Sequence, residues 1–471
     1  MFLNNLKNHI VTYPTPINIT YFWSFGFLAG FMLFNQILTG LFLAMYYMNT
    51  IDLAFDSVEF FMRNVNYGWF IRYLHSNGAS FFFIILYLHI GKALYYKSYI
   101  YPRQYIWYSG LIIFILVMGT SFLGYVLPWG QMSFWGATVI TSLVTVIPLI
   151  GEDIVNWIWG GYSVGNPTLM RFFVIHYLLP FIILALVIIH ILILHTEGSS
   201  NPLNFDKKNE KITFYPYFYF KDFFGLILLI LCIIYIISYM PNLFNHADNY
   251  IKANPLSTPA HIVPEWYFLP YYAILRAISN KSIGIILFAI SLGIFFLLPI
   301  FANINFNYFN NNIYTLKKNL FLNLNLEINL DLYLLLFYIY NYQYLYTFFN
   351  FLNYIEYNKI KINNELYSIW NHSNLLLYRQ NFWILVIIFI GLGYIGQLEV
   401  NDVTIELGQN LTVLYFLSIL LLNIVDRVFF YFFFCLVFIM YFYGLFFFGI
   451  FGNIVIPKPK YLLDEENYAS I

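Results

Sequence analysis

The chain has 471 residues, of which 61% are hydrophobic and only 9% charged, and its formal net charge is zero. This composition excludes a water-soluble globular domain and predicts an integral membrane protein made of helices, because several runs reach the roughly 20 apolar residues that a spanning helix needs. The basic residues are scattered, so membrane lipid is an expected partner and nucleic acid is not. Cys232 and Cys435 lie in apolar segments without a spacing partner, which excludes a disulfide scaffold and a thiolate metal cluster.

Eight apolar runs predict the fold class, an all-α integral membrane protein with an eight-helix transmembrane bundle. In chain order the predicted spans are 22–47, 68–95, 105–126, 168–195, 220–241, 282–302, 381–398 and 410–427. A further apolar run, 428–452, follows the eighth span without a turn signal. One straight helix over 410–452 would be about 64 Å long against a hydrocarbon core of about 30 Å, so this run must bend, turn back as a ninth span or leave the bilayer.

Loop charges predict the orientation of the spans, because lysine and arginine favour the negative side of a membrane. Thirteen basic residues lie at the N-terminus and in the loops after the second, fourth and sixth spans, against six on the opposite side. The N-terminus is therefore expected on the negative side. The second and fourth spans then run in the same direction, from the positive side to the negative.

Two pairs of histidines stand at the same spacing in the second and fourth spans. His75 and His89 are 14 residues apart, and so are His176 and His190. In a helix this spacing is roughly 21 Å along the axis and about 40° short of whole turns, so both imidazoles of a span face nearly the same way. Co-directional spans pair His75 with His176 near the positive side and His89 with His190 near the negative side. A single histidine of this kind is as often a hydrogen-bonded core residue, but four in this pattern predict bis-histidine ligation of two haems.

Glycines with the same period support the haem interpretation. They occupy the first and third spans in pairs that are also 14 residues apart, namely Gly26 and Gly40, and Gly110 and Gly124. A residue without a side chain lets a flat macrocycle approach the backbone. The alternative, a packing notch between membrane helices, does not explain the shared period.

Two arginines precede the positive-side histidines. Arg72 and Arg171 stand three and five residues before His75 and His176, where a guanidinium group would pair with haem propionates. The alternative is an arginine whose side chain reaches to the membrane interface.

Three long motifs carry a family resemblance: GYVLPWGQMSFWGATVIT at 124–141, IWGGYSV at 158–164 and PEWYFLPYYAILRAI at 264–278. With the histidines and glycines, they resemble the mitochondrial cytochrome b family, the membrane core of ubiquinol–cytochrome c oxidoreductase (respiratory complex III). The likeness covers about 20–302 and resumes over 376–427. It implies two non-covalent b-type haems and an enzyme that oxidises ubiquinol on the positive side and reduces ubiquinone on the negative side. One electron would cross the membrane through the haems, with proton translocation in a Q cycle.

The resemblance implies a quinol site formed by Gly136–Leu143 and Pro264–Tyr267, with Tyr272 further on. Glu265 is the implied proton acceptor, because a carboxylate in an apolar loop has its pKa raised towards neutrality. A carboxylate that only starts a helix is the alternative. His261 is expected to be a surface loop residue.

The resemblance places quinone reduction at His195, Ser199, Lys221 and Asp222, near the negative-side haem. An imidazole and a carboxylate there would bond the two quinone carbonyls and transfer protons. Alternatively, His195 caps helix carbonyls, and Lys221 and Asp222 are interface anchors. Lys92 stands where the family has an arginine for the haem propionates, and it keeps the charge but not the planar fork.

Five regions are expected along the chain. They are a dihaem four-helix bundle (1–205), two helices with the quinol-site loop (206–302), an Asn- and Tyr-rich insertion (303–375), the last two spans (376–427) and an apolar extension with a polar tail (428–471). The insertion, with its apolar centre, is expected to contact the membrane surface or an accessory subunit, because a single added span would invert the two that follow.

The resemblance also implies partners and a location. These are the Rieske iron–sulfur protein, cytochrome c1 and other complex III subunits, in an obligate dimer that joins a larger respiratory assembly, in the mitochondrial inner membrane. The chain has no CxxCH motif or thiolate ligand set, so the partners must supply those cofactors.

Three alternatives remain open. The chloroplast-type cytochrome bf family has one histidine spacing a residue wider and a protein split in two. A dihaem membrane anchor of a dehydrogenase would lack the loops at 124–141 and 264–278. A transporter or channel would bind no haem.

Overall fold

The structure is a computed structural model that describes residues 11–202, 210–302 and 362–422. In chain order its α-helices are α1 (Phe25–Ala44), α2 (Ala54–Asn64), α3 (Gly68–Tyr95), α4 (Gln104–Val126), α5 (Gln131–Ser142), α6 (Gly151–Trp159), α7 (Asn166–Glu197), α8 (Tyr217–Tyr239), α9 (Leu269–Arg276), α10 (Lys281–Gly293), α11 (Ile362–Gln397) and α12 (Asp402–Leu421). Eight helices in the described ranges are long and apolar enough to cross a membrane. The prediction of an all-α, eight-span fold is therefore confirmed.

Seven of the eight spans begin and end within three residues of the predicted bounds. The eighth, α12, begins at Asp402 instead of residue 410. The N–H group of Thr404 donates to Oδ1 of Asn401 at 2.8 Å, and the N–H group of Asn401 donates to Oγ1 of Thr404 at 3.0 Å. This reciprocal cap starts the helix early, and Asp402 lies favourably at the positive end of the helix dipole. Reading these polar residues as loop was wrong.

One helix begins inside the predicted insertion. Helix α11 begins at Ile362, so residues 362–375 belong to the helix that contains the seventh span. The rest of the insertion, 303–361, and the apolar run at 428–452 lie outside the described residues.

The chain divides into two compact units, residues 1–308 with 386–412, and residues 309–385 with 413–471. In the first unit, α1 packs against α3 and α4 packs against α7. In the second, the buried amide of Asn381 donates to the carbonyl of Ser418 at 2.8 Å.

A layer of buried apolar residues crosses the four-helix part of the first unit. It consists of one residue from each helix, Leu33, Phe82, Val117 and Ile183, all in the same core cluster. Each lies seven residues from both members of its helix's histidine or glycine pair. The layer therefore lies halfway between the two histidine levels.

The N-terminal segment is tied to the loop after α7. Strand β1 (Pro14–Pro16) pairs antiparallel with β2 (Lys211–Thr213), with Pro14 opposite Thr213. The N–H group of Phe214 donates to the carbonyl of Tyr13 at 2.9 Å. This ribbon holds the segment beside the C-terminal end of α7.

Two loops of the predicted quinol site are also joined. The N–H group of Gln131 donates to the carbonyl of Ile251 at 2.9 Å, and the N–H group of Ala253 donates to that of Trp129 at 3.0 Å. These bonds fasten the start of α5 to the loop before α9, as expected for loops on one side of a membrane.

Candidate functional site

Each of the four glycines faces one of the four histidines on the helix beside it. A Cβ atom added to Gly26 would lie 3.3 Å from Cε1 of His89, and one added to Gly40 would lie 3.2 Å from Cε1 of His75. The helix pair α4 and α7 repeats the arrangement. A Cβ atom added to Gly110 would lie 3.2 Å from Cε1 of His190, and one added to Gly124 would lie 2.9 Å from Nδ1 of His176. The glycines therefore make room for the imidazole rings themselves, whereas the expectation was clearance for a macrocycle.

Hydrogen bonds to Nδ1 assign the tautomer of three of these histidines. Nδ1 of His176 lies 2.8 Å from the carbonyl oxygen of Thr120, which only accepts, so this nitrogen carries the proton. Nδ1 of His75 lies 2.9 Å from Oγ1 of Thr39, whose own proton is donated to the carbonyl of Asn35 at 2.7 Å. Thr39 therefore accepts from His75.

His190 has the same arrangement. Its Nδ1 lies 2.7 Å from Oγ of Ser109, and that hydroxyl donates to the carbonyl of Ile106 at 2.9 Å. In all three residues Nε2 keeps its lone pair, and the bond at Nδ1 fixes the ring and makes it a stronger metal ligand.

The residues fit an axially ligated macrocycle. The ring centroids of His75 and His176 are 6.4 Å apart and the planes make an angle of 82°. A metal ion at about 2 Å from each ligating nitrogen would separate the centroids by roughly 6 to 6.5 Å. No group of three or more His, Cys, Asp or Glu side chains in the described part of the chain could hold a metal ion. The His75 and His176 pair would hold a metal ion whose other ligands come from a macrocycle.

One cavity connects the positive-side histidines with the predicted quinol site. Its lining includes His75, His176, Arg72, Tyr125 and Glu265. Arg72 therefore lines the same cavity as the histidine pair and Glu265.

Arg171, its predicted counterpart, is elsewhere. Its guanidinium group donates to the carbonyls of Trp157 and Ile158, at 3.2 Å for the second, and it does not line this cavity. Arg72 precedes His75 by three residues, which places the two side chains about 60° apart around the helix axis. Arg171 precedes His176 by five residues, which places them about 140° apart, so the two arginines cannot both face their histidines. The pairing of Arg171 with a haem propionate stays a prediction.

Glu265 lies partly buried in the cavity. Burial raises the pKa of this carboxyl from its ordinary value to about 7, while a hydrogen bond from Tyr125 and the charge of Arg72 act in the opposite direction. The group therefore changes protonation near neutral pH. Tyr125 was missed by sequence reasoning, although it follows Gly124 in the first long motif.

The other predicted quinol-site residues do not all line this cavity. A Cβ added to Gly136 on α5 would meet no atom within 4 Å, so this glycine borders open space. The hydroxyl of Tyr272 donates to the carbonyl of Ile262 at 3.4 Å, and Tyr272 does not line the cavity, whereas Tyr267 does. His261 is a partly exposed loop residue, and its Nε2 atom is buried without a hydrogen-bond partner in the described residues.

The predicted negative-side residues all contact the segment 11–24, which sequence reasoning missed. The ring of His195 lies 4.4 Å from that of Tyr13, and the Tyr13 hydroxyl faces Ser199. Nζ of Lys221 donates to the carbonyl of Ile19 at 2.7 Å, and Asp222 bonds the Ser24 side chain. Nζ of Lys92 lies 4.3 Å from the centre of the Trp23 ring. The only signal in the sequence was a run of aromatic residues, YFW, just before the first span.

Eight candidate spans, with histidines that face glycines at two depths, are typical of a multi-span membrane protein that binds a cofactor inside its helix bundle. Residues 10–198 match the family model described as cytochrome b/b6/petB, and residues 252–335 and 362–416 match cytochrome b (C-terminal)/b6/petD. The chain belongs to the cytochrome b family, and b-type haem is therefore its cofactor. Within the expected insertion, the family model leaves residues 336–361 unmatched.

Relatives and solved structures agree with the family match. The chain is 63% identical to cytochrome b of Phytophthora megasperma over 281 residues, 60% of this chain and 73% of that one. It is 56% identical to cytochrome b of Cyanidium caldarium over 303 residues, 64% and 79% of the two chains. A chain of a solved structure described as hyperthermophilic respiratory Complex III matches with a TM-score of 0.71 and 28% identity, over 91% of this chain and 97% of that one.

Proposed function

We propose that this chain is the cytochrome b subunit of a ubiquinol–cytochrome c oxidoreductase, respiratory complex III, and that it runs a Q cycle. It oxidises quinol on the positive side, passes one electron across the membrane and reduces quinone on the negative side. The observation that carries the proposal is the doubled site, in which each helix pair presents a histidine against a glycine at two depths. Two carriers at two depths are what transfer across a membrane requires.

Two b-type haems would be held by these residues, one by His75 and His176 and the other by His89 and His190. When bound, they supply one-electron carriers at the two levels. Gly26, Gly40, Gly110 and Gly124 leave room for the imidazoles, and the bonds at Nδ1 of His75, His176 and His190 would leave Nε2 of each ring available to a metal. Arg72 and Lys92 supply positive charge for propionates at the two levels.

Quinol oxidation is proposed beside the His75 and His176 pair. Oxidation of a quinol to a quinone releases two protons and two electrons, so the site needs a proton acceptor. Glu265 fills that role because it lines the same cavity and its pKa, raised by burial to about 7, lets it hold or release a proton near neutrality. Tyr125 bonds the carboxyl, and Pro264 and Gly136 shape the binding surface.

Quinone reduction is proposed at the end of α7 and the start of α8. His195 and Asp222 would donate protons to the quinone oxygens, while Ser199 and Lys221 position the ring. The contacts of these four residues with the ordered segment 11–24 support a built site rather than separate interface residues.

The remaining expectations belong to the same proposal. The electron acceptor on the positive side is the Rieske iron–sulfur protein, followed by cytochrome c1, in an obligate dimer within a larger respiratory assembly. The site of assembly is the mitochondrial inner membrane, which is supported by relatives from eukaryotes. The five-region division of the chain and the role of Tyr272 at the quinol site are proposed on the family resemblance alone.

The test is a redox-poised optical titration of the purified complex while quinol is added with one quinone site inhibited at a time. Two b-type centres of distinct potential, each reducible through either site, are expected. One centre, or two that are reached from one side only, would make the chain a dihaem anchor instead.

A further inference from the structure

Tyr13 is buried beside the proposed quinone-reduction site and has an unused hydroxyl group. The residue is 8% exposed, and its hydroxyl oxygen is inaccessible to solvent. That oxygen faces Ser199 but makes no hydrogen bond of normal geometry with any atom of the described residues. A buried hydroxyl without a partner is unfavourable, so such a group in a protein points to a ligand that completes it.

The position of this hydroxyl is fixed by the backbone. Pro14 pairs with Thr213 in the β ribbon, and the N–H group of Phe214 donates to the Tyr13 carbonyl at 2.9 Å. The Tyr13 ring also packs on His195, with 4.4 Å between centroids and 38° between planes. The hydroxyl is therefore held beside the imidazole that the proposed function uses.

A glycine and two basic residues surround the hydroxyl. Gly198 ends α7 with a φ of 80°, which favours glycine, and a Cβ there would lie 3.9 Å from the Tyr13 hydroxyl oxygen. Arg103 donates to the Gly198 carbonyl at 3.2 Å, and both Arg103 and Lys211 act electrostatically on Tyr13. A positive environment favours an oxygen that gains electron density during reduction.

We infer that Tyr13 is a quinone-binding residue of the negative-side site, where its hydroxyl donates a hydrogen bond to a quinone oxygen and its ring holds His195 in place. The inference rests on the proposed function and adds a residue to it. A quinone carbonyl only accepts hydrogen bonds, which complements a phenol whose hydroxyl makes no hydrogen bond of normal geometry with the described residues. Burial raises the pKa of Tyr13, so the phenol keeps its proton and acts as a donor throughout the neutral range.

The test uses the whole complex with the positive-side site inhibited and decylubiquinone as the probe. Tyr13→Phe keeps the ring on His195 and removes only the hydroxyl. We expect its apparent KM for decylubiquinone, and its equilibrium Kd measured with radiolabelled probe, to rise roughly three- to tenfold, as for one lost hydrogen bond, with kcat changed less than twofold. Tyr13→Leu also removes the ring, so kcat should fall as well.

Tyr217→Phe is the matched control, because that hydroxyl belongs to a residue that is 60% exposed at the start of α8. It should leave KM and Kd unchanged. If Tyr13→Phe behaves like this control while the wild type binds and reduces the probe, the inference is wrong and the proposed function stands. If the wild type itself neither binds nor reduces the probe at this site, the proposed function fails and the inference fails with it.

Discussion

Thr39 accepts a hydrogen bond from Nδ1 of His75 at 2.9 Å while donating its own proton to the carbonyl of Asn35. A ligand imidazole that donates at Nδ1 gains basicity, which stabilises the oxidised metal more than the reduced one. Thr39→Val should therefore raise the midpoint potential of the positive-side centre by about 20–60 mV, the equivalent of one hydrogen bond. Redox titration of that centre measures the shift. Thr39→Ser keeps the hydroxyl and should match the wild type, and equal potentials in the valine and serine variants would refute the assignment.

A substitution at Gly124 tests whether the glycines are needed to make room for the histidine rings. A Cβ at this position would lie 2.9 Å from Nδ1 of His176, so Gly124→Ala should displace that ring. The haem content should then fall from the two proposed b-type centres to about one. The pyridine haemochrome spectrum counts the centres directly. On the same helix, a Cβ at Gly119 would meet nothing within 4 Å, so Gly119→Ala should retain both. Full haem content in Gly124→Ala would mean that the close contact is not required for ligation.

The rate of quinol oxidation should follow the protonation state of Glu265. Its pKa of about 7 means that the carboxylate, the form that accepts a proton, accumulates as pH rises through neutrality. The wild-type rate should therefore increase from pH 6 to pH 8, and Glu265→Gln should be slower, keep both haems and lose this increase. Initial rates across the pH range provide the measurement. Glu152→Gln, at an exposed position on α6, is the control. A wild-type rate in Glu265→Gln throughout this range would exclude the proposed role.

Arg72 and Arg171 should behave differently, although both precede histidines of one pair. Removing the positive charge of Arg72 raises the pKa of Glu265 further, because that charge favours the carboxylate. Arg72→Gln should thus move the pH dependence of quinol oxidation to higher pH. Arg171→Gln should leave it in place, since this side chain bonds the carbonyls of Trp157 and Ile158. A shift of similar size in both variants would contradict the placement of Arg171.

Much of the fold could be predicted because the length of an apolar run and the spacing of histidines within it are both properties of a single helix. Span α3 was predicted to the residue, and the 14-residue period was enough to expect two levels. The start of α12 was missed because polarity indicates loop, whereas the reciprocal bonds of Asn401 and Thr404 make the same polar residues a helix start.

Contacts between distant segments were not predictable from local pattern. Tyr13 reaches His195 only because the ribbon of β1 and β2 closes across almost 200 residues of sequence. The contacts of Arg171 with the carbonyls of Trp157 and Ile158 likewise join residues 13 and 14 positions apart, and no local pattern in the sequence indicates them.

The apolar layer of Leu33, Phe82, Val117 and Ile183 divides the bundle into two compartments. A proton or metal ion entering this layer would lose its hydration without finding a polar partner, and that penalty amounts to many times the thermal energy. An electron needs no such solvation and tunnels through packed side chains. In the proposed function, the layer would therefore let electrons pass between the two histidine levels while protons and ions cannot follow, so that the charge separated by each transfer is retained.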